Sequence, residues 1–169
     1  MGALPTTRPV TIDEFERMPD VDGIQELLDG EVVRVPPPKL RHSQILRQIA
    51  EILQAHVEKN RIWPETGFLI KRSCVQPDIS VTHADQGQER GWFAKAPLVA
   101  IEVASRGNTP DELEFKKNLY LENGAAEVWI VYDRTRTVVM HTGHDAHSYD
   151  GEMSSRALDA TFRVPEFFE

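Results

Sequence analysis

The sequence predicts an α/β or α+β domain, a central mixed β-sheet flanked by helices. Three observations carry this expectation. Short β-branched runs outnumber helical stripes along the chain. Two of the runs, Pro97 to Ala104 and Val128 to Tyr132, are apolar almost throughout, as strands covered on both faces must be. Helical periodicity occupies 41–59 and 111–123, on either side of the first run, so helices flank the middle of the sheet.

Residues 1–10 read as a flexible arm and 11–169 as a single domain. Met1 to Thr6 fits a loose myristoylation pattern, but no polybasic segment supplies the second signal that stable anchoring needs. Thr11 and Glu14 have the spacing of a capping box and start a helical turn. Gln25 to Leu28 and Glu31 to Val35 flank Asp29-Gly30, a two-residue hairpin signal, so an amino-terminal β-hairpin is expected. Pro36-Pro37-Pro38 then stops the sheet and stiffens the approach to a helix. That helix, 41–59, carries its apolar stripe on Ile45, Ile49, Ile52, Leu53 and Val57. His42 lies in its first turn, close to the hairpin, with structural and active-site roles both open; His56 reads as a core-edge residue.

Strands are expected over 62–71 and 75–82, followed by a polar loop through Lys95. The loop's Trp92-Phe93 suits a lid, an oligomer contact or, the reading favoured, a loop pinned to its own domain. After the second apolar strand a helix starts at Thr109 or Asp111 and stops at Asn123-Gly124. Thr137 to Met140 and Ser148-Tyr149 read as an edge hairpin with its turn at Asp150-Gly151.

A chain of 169 residues suits one domain with a sizeable core. No apolar stretch is long enough for a membrane span, and the amino terminus lacks a signal-peptide core. The single cysteine, Cys74, excludes an internal disulfide and fits a reducing, cytoplasmic setting. The net charge of −8 argues against a polyanionic partner, but between Arg34 and Arg72 eight basic residues face three acidic ones. A basic face within an acidic whole is one reading of that segment, and scattered solvated charge is the other.

Glu102 lies in the middle of the first apolar run, where an unpaired carboxylate would be costly or would neutralise. Asp78 lies in a second β-branched run, Val75 to Val81. Two carboxylates on adjacent central strands are best explained by a shared cation. Alternation puts Ala100, Glu102 and Ala104 on one face, and the small neighbours leave room for an ion and its waters. A buried ion pair is the structural alternative, and it would gain little net stability. In the helix that follows, Leu113, Phe115, Leu119 and Tyr120 share one side at 100° per residue. Lys116 falls inside that arc and Lys117 beyond its edge. Lys116 either snorkels out of the interface or reaches the carboxylates. Two carboxylates and a lysine suit hydrolysis of a phosphodiester assisted by Mg²⁺ or Mn²⁺.

Pro77-Asp78 and then Ile101-Glu102-Val103-Ala104-Ser105 resemble the PD-(D/E)XK motif of restriction-endonuclease-like nucleases. The longer order is similar to the Uma2 family of that superfamily. It comprises Glu26 to Glu31, His42 opening a helix, Gln76-Pro77-Asp78, Glu102-Val103 with Ser105, Lys116 four residues before Tyr120, and Gly124 through Val131. The resemblance spans residues 11 to 168. It implies a restriction-endonuclease-like fold and a Mg²⁺-dependent endonuclease that hydrolyses DNA. Asp78, Glu102, Lys116, Glu31 and His42 would form the catalytic set, with Asp78, Glu102 and Val103 at the metal. Ala104 stands where the superfamily motif has its lysine; in this family the lysine is displaced to the following helix, which matches Lys116. The family also implies a carboxylate from the amino-terminal part, and alternation across the hairpin does not choose between Glu31 and Glu26. DNA is the expected partner, approached over Arg34, Lys39, Arg41 and Lys71, and a homodimer is the expected assembly. A non-cleaving nucleic-acid- or protein-binding module is the rival reading: the −8 charge favours it, and the intact carboxylate–lysine set favours the enzyme. His141, His144 and His147 offer a third reading as a transition-metal site, weaker than solvated loop histidines.

Overall fold

Local sequence signals place the first elements of the structure, a computed structural model that describes residues 8–105 and 107–169. Helix α1 (Ile12–Glu16) opens on its capping box. Glu14 N–H donates to Thr11 Oγ1 at 3.2 Å, and Thr11 N–H donates to the Glu14 carboxylate at 2.9 Å. Strands β1 (Ile24–Leu28) and β2 (Glu31–Val35) form the expected hairpin. Asp29 at φ 47° and Gly30 at φ 91° give its turn the left-handed pair of a type I′ connection. Most of the expected arm, 1–7, and with it the myristoylation pattern, lies outside the described residues. Its end is packed rather than free: Val10 N–H donates to Gly30 O at 2.8 Å, and Pro9 covers Gly30 so closely that a Cβ there would meet it at 2.5 Å.

Helix α2 (Leu40–Gln54) ends five residues before the expected Lys59. The chain turns at Ala55 so that Val57 enters the core and His56 meets Phe162 edge-on, with ring centroids 5.1 Å apart. The two long strands expected over 62–82 are four short ones: β3 (Ile62–Pro64), β4 (Phe68–Ile70), β5 (Ser73–Val75) and β6 (Ile79–Val81). Left-handed backbone at Glu65 and Lys71, and prolines at 64 and 77 that cannot donate to a ladder, break the pattern there.

Short strands β7 (Gln88–Glu89) and β8 (Trp92–Ala94) lie within the polar loop, which is pinned as expected. Trp92 lies over Gly67, where a Cβ would meet its ring at 2.2 Å, and Arg90 pairs with Asp13 and Glu16 of α1. The rest of the chain gives β9 (Val99–Ala104), α3 (Pro110–Glu122), β10 (Glu127–Tyr132), β11 (Thr137–Thr142), β12 (Asp145–Tyr149), β13 (Glu152–Ser155) and β14 (Ala160–Arg163). The edge hairpin turns at Gly143-His144, not at Asp150-Gly151, which links it to a separate β13–β14 pair. Both dipeptides read as turns, and the sequence does not say which closes the hairpin.

One sheet runs β2-β1-β5-β4-β8-β7 and the other β12-β11-β10-β9-β6-β3. In the second, β9 and β10 are parallel and the remaining pairs antiparallel, so the sheet is mixed and the fold is α+β. Its two faces are sorted by alternation. Val99, Ile101, Val103, Trp129 and Val131 pack against Ile45, Ile49 and Leu53 of α2. Ala100, Val128 and Ile130 pack against Leu119 and Tyr120 of α3 and against Phe68 and Val75 of the first sheet. Each fully buried aliphatic side chain in these layers contributes about 1.5–3 kcal/mol. Glu102 therefore emerges on the α3 side, between the two sheets.

Candidate active site

Strand register brings the two carboxylates together. Ile79 lies opposite Ile101 and Ser80 opposite Ala100, so one further step sets Asp78 opposite Glu102. Val103 N–H lies beyond the last strand pair and donates to Asp78 Oδ2 at 2.7 Å, so the side chain replaces a ladder bond. His42, from the first turn of α2, places Nε2 3.4 Å from Asp78 Oδ1. That bond to Asp78 raises the His42 pKa against the opposing effect of burial.

Glu102 is 2% exposed and faces α3. Lys116 Nζ lies 2.7 Å from Glu102 Oε1 and 3.0 Å from Glu26 Oε1, and it donates to Gln76 O at 3.2 Å. One helical turn later, Tyr120 OH donates to the same Glu102 oxygen at 3.0 Å. Glu26 Oε1 also accepts from Gln76 N–H at 2.6 Å, which ties the hairpin to the strand leading into β6. Both donors to Glu102 thus use Oε1. No described residue donates to Oε2, and Glu102 lines the cavity.

Burial pushes the Glu102 carboxyl up to about 8 against the pull of Lys116, and Asp78 and Glu26 add to the rise. Burial also opposes charge on Lys116, but Glu102 and Glu26 outweigh it and hold the ammonium above its ordinary value. The Tyr120 hydroxyl is raised well above its usual range, first by burial and then by Glu102, so it stays protonated and remains a donor. A cation held by Asp78 and Glu102 would favour the ionised form of Glu102 that burial opposes.

Glu26, His42, Asp78, Glu102 and Lys116 line one cavity of about 680 Å³, at the carboxyl ends of β9 and β10, with Tyr120 behind Glu102. Among the described residues no three His, Cys, Asp or Glu side chains converge on one point, there or at His141, His144 and His147. Mg²⁺ does not need such a cluster: one or two carboxylates hold it, and water completes its shell. Asp78 and the open Glu102 oxygen suit that hard, partly hydrated ion. Val103 lines the same cavity and would offer its carbonyl.

Of the amino-terminal carboxylates, Glu26 enters the site and Glu31 does not. Glu31 is exposed at the hairpin tip, opposite Leu28, and the cavity lining excludes it. The basic set divides as well. Lys39 and Arg41 line the cavity, whereas Arg34 and Lys71 do not. On β2 it is Val35 that faces inward, so Arg34 projects the other way, and Lys71 lies in the β4–β5 turn. Arg134 on the rim had no sequence signal; Tyr120 did, since it shares the helical arc of Lys116.

The Uma2 family model, described as "Putative restriction endonuclease", matches residues 12–165. The chain belongs to this family. Among solved structures it is similar to "a putative nuclease belonging to DUF820" from Anabaena variabilis ATCC 29413, with a TM-score of 0.84 and 20% identity over 95% of this chain and 98% of that one. At that identity the likeness shows a shared fold. No curated protein matches in sequence.

Proposed function

We propose that this Uma2-family chain is an endonuclease that uses Mg²⁺ or Mn²⁺ to hydrolyse DNA phosphodiester bonds. The carrying observation is Glu102 beside Asp78 in one cavity, with Lys116 and Tyr120 gripping one Glu102 oxygen and the other left open. Asp78 and Glu102 would hold the ion, with the Val103 carbonyl beside them. A bound ion polarises a phosphoryl oxygen and lowers the pKa of the attacking water.

The chain's own groups do the remainder. Glu26 holds Lys116 in place, and Lys116 keeps Glu102 oriented and offsets charge that develops on the phosphate. His42, biased toward its protonated form by Asp78, lines the same cavity and can donate a proton there. We further propose a single domain over 11–169, a cytoplasmic setting that suits the buried free Cys74, and a homodimer.

Supercoiled plasmid and defined oligonucleotides, incubated with Mg²⁺, Mn²⁺ or EDTA, test the reading directly. Metal-dependent strand cleavage is expected from the wild type and none from Asp78→Asn or Glu102→Gln. Cleavage that survives in both variants would leave the proposal without its site.

A further inference from the structure

The walls of the cavity bear on the form of nucleic acid it takes. Its volume, about 680 Å³, lies in the range of pockets that enclose one small molecule. That is the scale of a nucleotide and not of a length of duplex. Much of the lining away from the carboxylates is apolar: Ile24, Val35, Ile45 and the run Pro36-Pro37-Pro38. Such a wall neutralises no phosphate, but it offers a dry surface to the face of a heterocycle.

Two parts of the rim touch. Pro36 on one rim approaches Gly107 on the other so closely that a Cβ at Gly107 would lie 2.6 Å from Pro36 Cγ. Among the described residues positive charge around the cavity is sparse. Arg41 is committed to Asp133 at 2.9 Å and to Phe168 O at 3.0 Å. Lys116 and His42 are held by carboxylates, which leaves Lys39 and Arg134 as the lining cations whose side chains form no ion pair among the described residues. Affinity for a double helix grows with the number of phosphates neutralised, and the two unpaired rim cations among the described residues answer one or two of them.

We infer that the cavity takes one unpaired nucleotide, with its base against the Ile24–proline wall and its phosphate at the cation that Asp78 and Glu102 would hold. A strand end, a flap or a base extruded from a mismatch presents such a nucleotide; a perfect duplex must first unstack one. The inference rests on the nuclease reading above and narrows its substrate.

The test uses the full chain with Ca²⁺ in place of Mg²⁺, so that binding is measured without cutting. The probes are a short duplex, the same duplex with one mismatch, the same duplex with a one-nucleotide flap, and the single strand. Each carries 2-aminopurine at the position tested. The mismatch, flap and single strand should bind at least roughly tenfold tighter than the perfect duplex, about 1.4 kcal/mol at 25 °C. The 2-aminopurine emission of the flap and the mismatch should change on binding as the base leaves its stack.

Ile24→Asp should erase this preference while Mn²⁺ binding, read by electron paramagnetic resonance, persists and shows that the site is folded. Pro37→Ala, on the exposed rim, should weaken the preference partly and covers the case in which Ile24→Asp does not fold. Equal binding and equal cleavage of all four probes would overturn the inference and leave the nuclease reading intact. A binding preference without cleavage in Mg²⁺ or Mn²⁺ would sink the nuclease reading and uphold the pocket's occupant.

Discussion

Two glutamates on neighbouring parallel strands are each 2% exposed, and they are buried for different reasons. Glu127 begins β10 and projects toward the α2 side, with Trp129. Its Oε2 accepts from Trp129 Nε1 at 2.9 Å and Ser155 Oγ at 2.8 Å, and its Oε1 accepts from Ala157 N–H at 3.0 Å. Every donor is neutral, both oxygens are used, and it borders no part of the cavity. It fastens the β13–β14 hairpin to the sheet. Glu102, on the opposite face, has both its donors on one oxygen and leaves the other to the cavity. Satisfaction on both oxygens marks a structural carboxylate, and satisfaction on one marks a carboxylate kept for something else.

The widest break in this comparison is an amide swap at each position. Glu102→Gln should reduce cleavage to background and remove cation binding, with little change in melting temperature, because burial already favours its neutral form below about pH 8. Glu127→Gln should do the reverse. An amide group facing one of its three donors leaves that donor unpaired, at about 1–3 kcal/mol. Turnover by the folded fraction should match wild type. Thermal melts and initial rates measured on both variants decide between these outcomes, and a reversed pattern would end the distinction.

Much of the Glu102 side was legible in the sequence because it depends on short-range periodicity. Alternation placed Glu102 between Ala100 and Ala104, and a helical projection separated Lys116 from Lys117. What was not legible depends on three-dimensional registration. Glu26 and Glu31 both belong to an alternating hairpin, and only the approach of Gln76 and Lys116 distinguishes them. The basic residues between Arg34 and Arg72 are near in sequence, yet Lys39 borders the cavity while Lys71 sits at a distant turn. Glu127 gave no warning because its partners, Ser155 and Ala157, lie about 30 residues on.

Lys116 sharpens the comparison next. Removing it leaves Glu26 buried without its cationic partner, so Lys116→Ala should cost about 3–5 kcal/mol of stability. Loss of one charge-stabilising group from a transition state typically lowers kcat about 10²–10³-fold. Stability and rate must therefore be read separately, by denaturant melts and by turnover at a temperature where the variant remains folded. Wild-type turnover there would remove the lysine from the mechanism.

Tyr120→Phe is milder. It deletes one of the two donors on Glu102 Oε1 and leaves the ring packed. Groups that orient a metal ligand in this way typically contribute 10–100-fold in metal affinity. Mn²⁺ titrations should show a weaker site, and saturating metal should restore most of the activity. Unchanged Mn²⁺ affinity would assign the hydroxyl to packing alone.

Cation binding should also follow pH. With its pKa near 8, the Glu102 carboxyl carries a proton in the metal-free protein below that value. A cation must displace it, so affinity rises with pH up to about 8 and levels off above, by about tenfold per unit well below it. Calorimetry in buffers of different ionisation enthalpy should detect close to one proton released per ion at pH 7, and Glu102→Gln should abolish that release. Binding that is flat from pH 6 to 8 in wild type would mean that Glu102 does not ligate the ion.

The smallest effect is expected one residue from one of the largest. Lys117 lies outside the apolar arc; its stem is largely covered, and its ammonium pairs with the exposed Glu114. Glu114 is 63% exposed in its side chain, so water and salt screen the pair, and exposed pairs contribute about 0–1 kcal/mol. Lys117→Ala loses that pair and some packing of the stem, and should shift stability by about 1 kcal/mol, well below the cost of Lys116→Ala. It should leave Mn²⁺ affinity and turnover unchanged. Adjacent lysines on one short helix would then differ by orders of magnitude in rate, and only their rotation about the helix axis separates them. If Lys117→Ala impaired turnover as much as Lys116→Ala, the effect of both would be bulk charge near the phosphate, and the fixed contact between Lys116 and Glu102 would lose its special place.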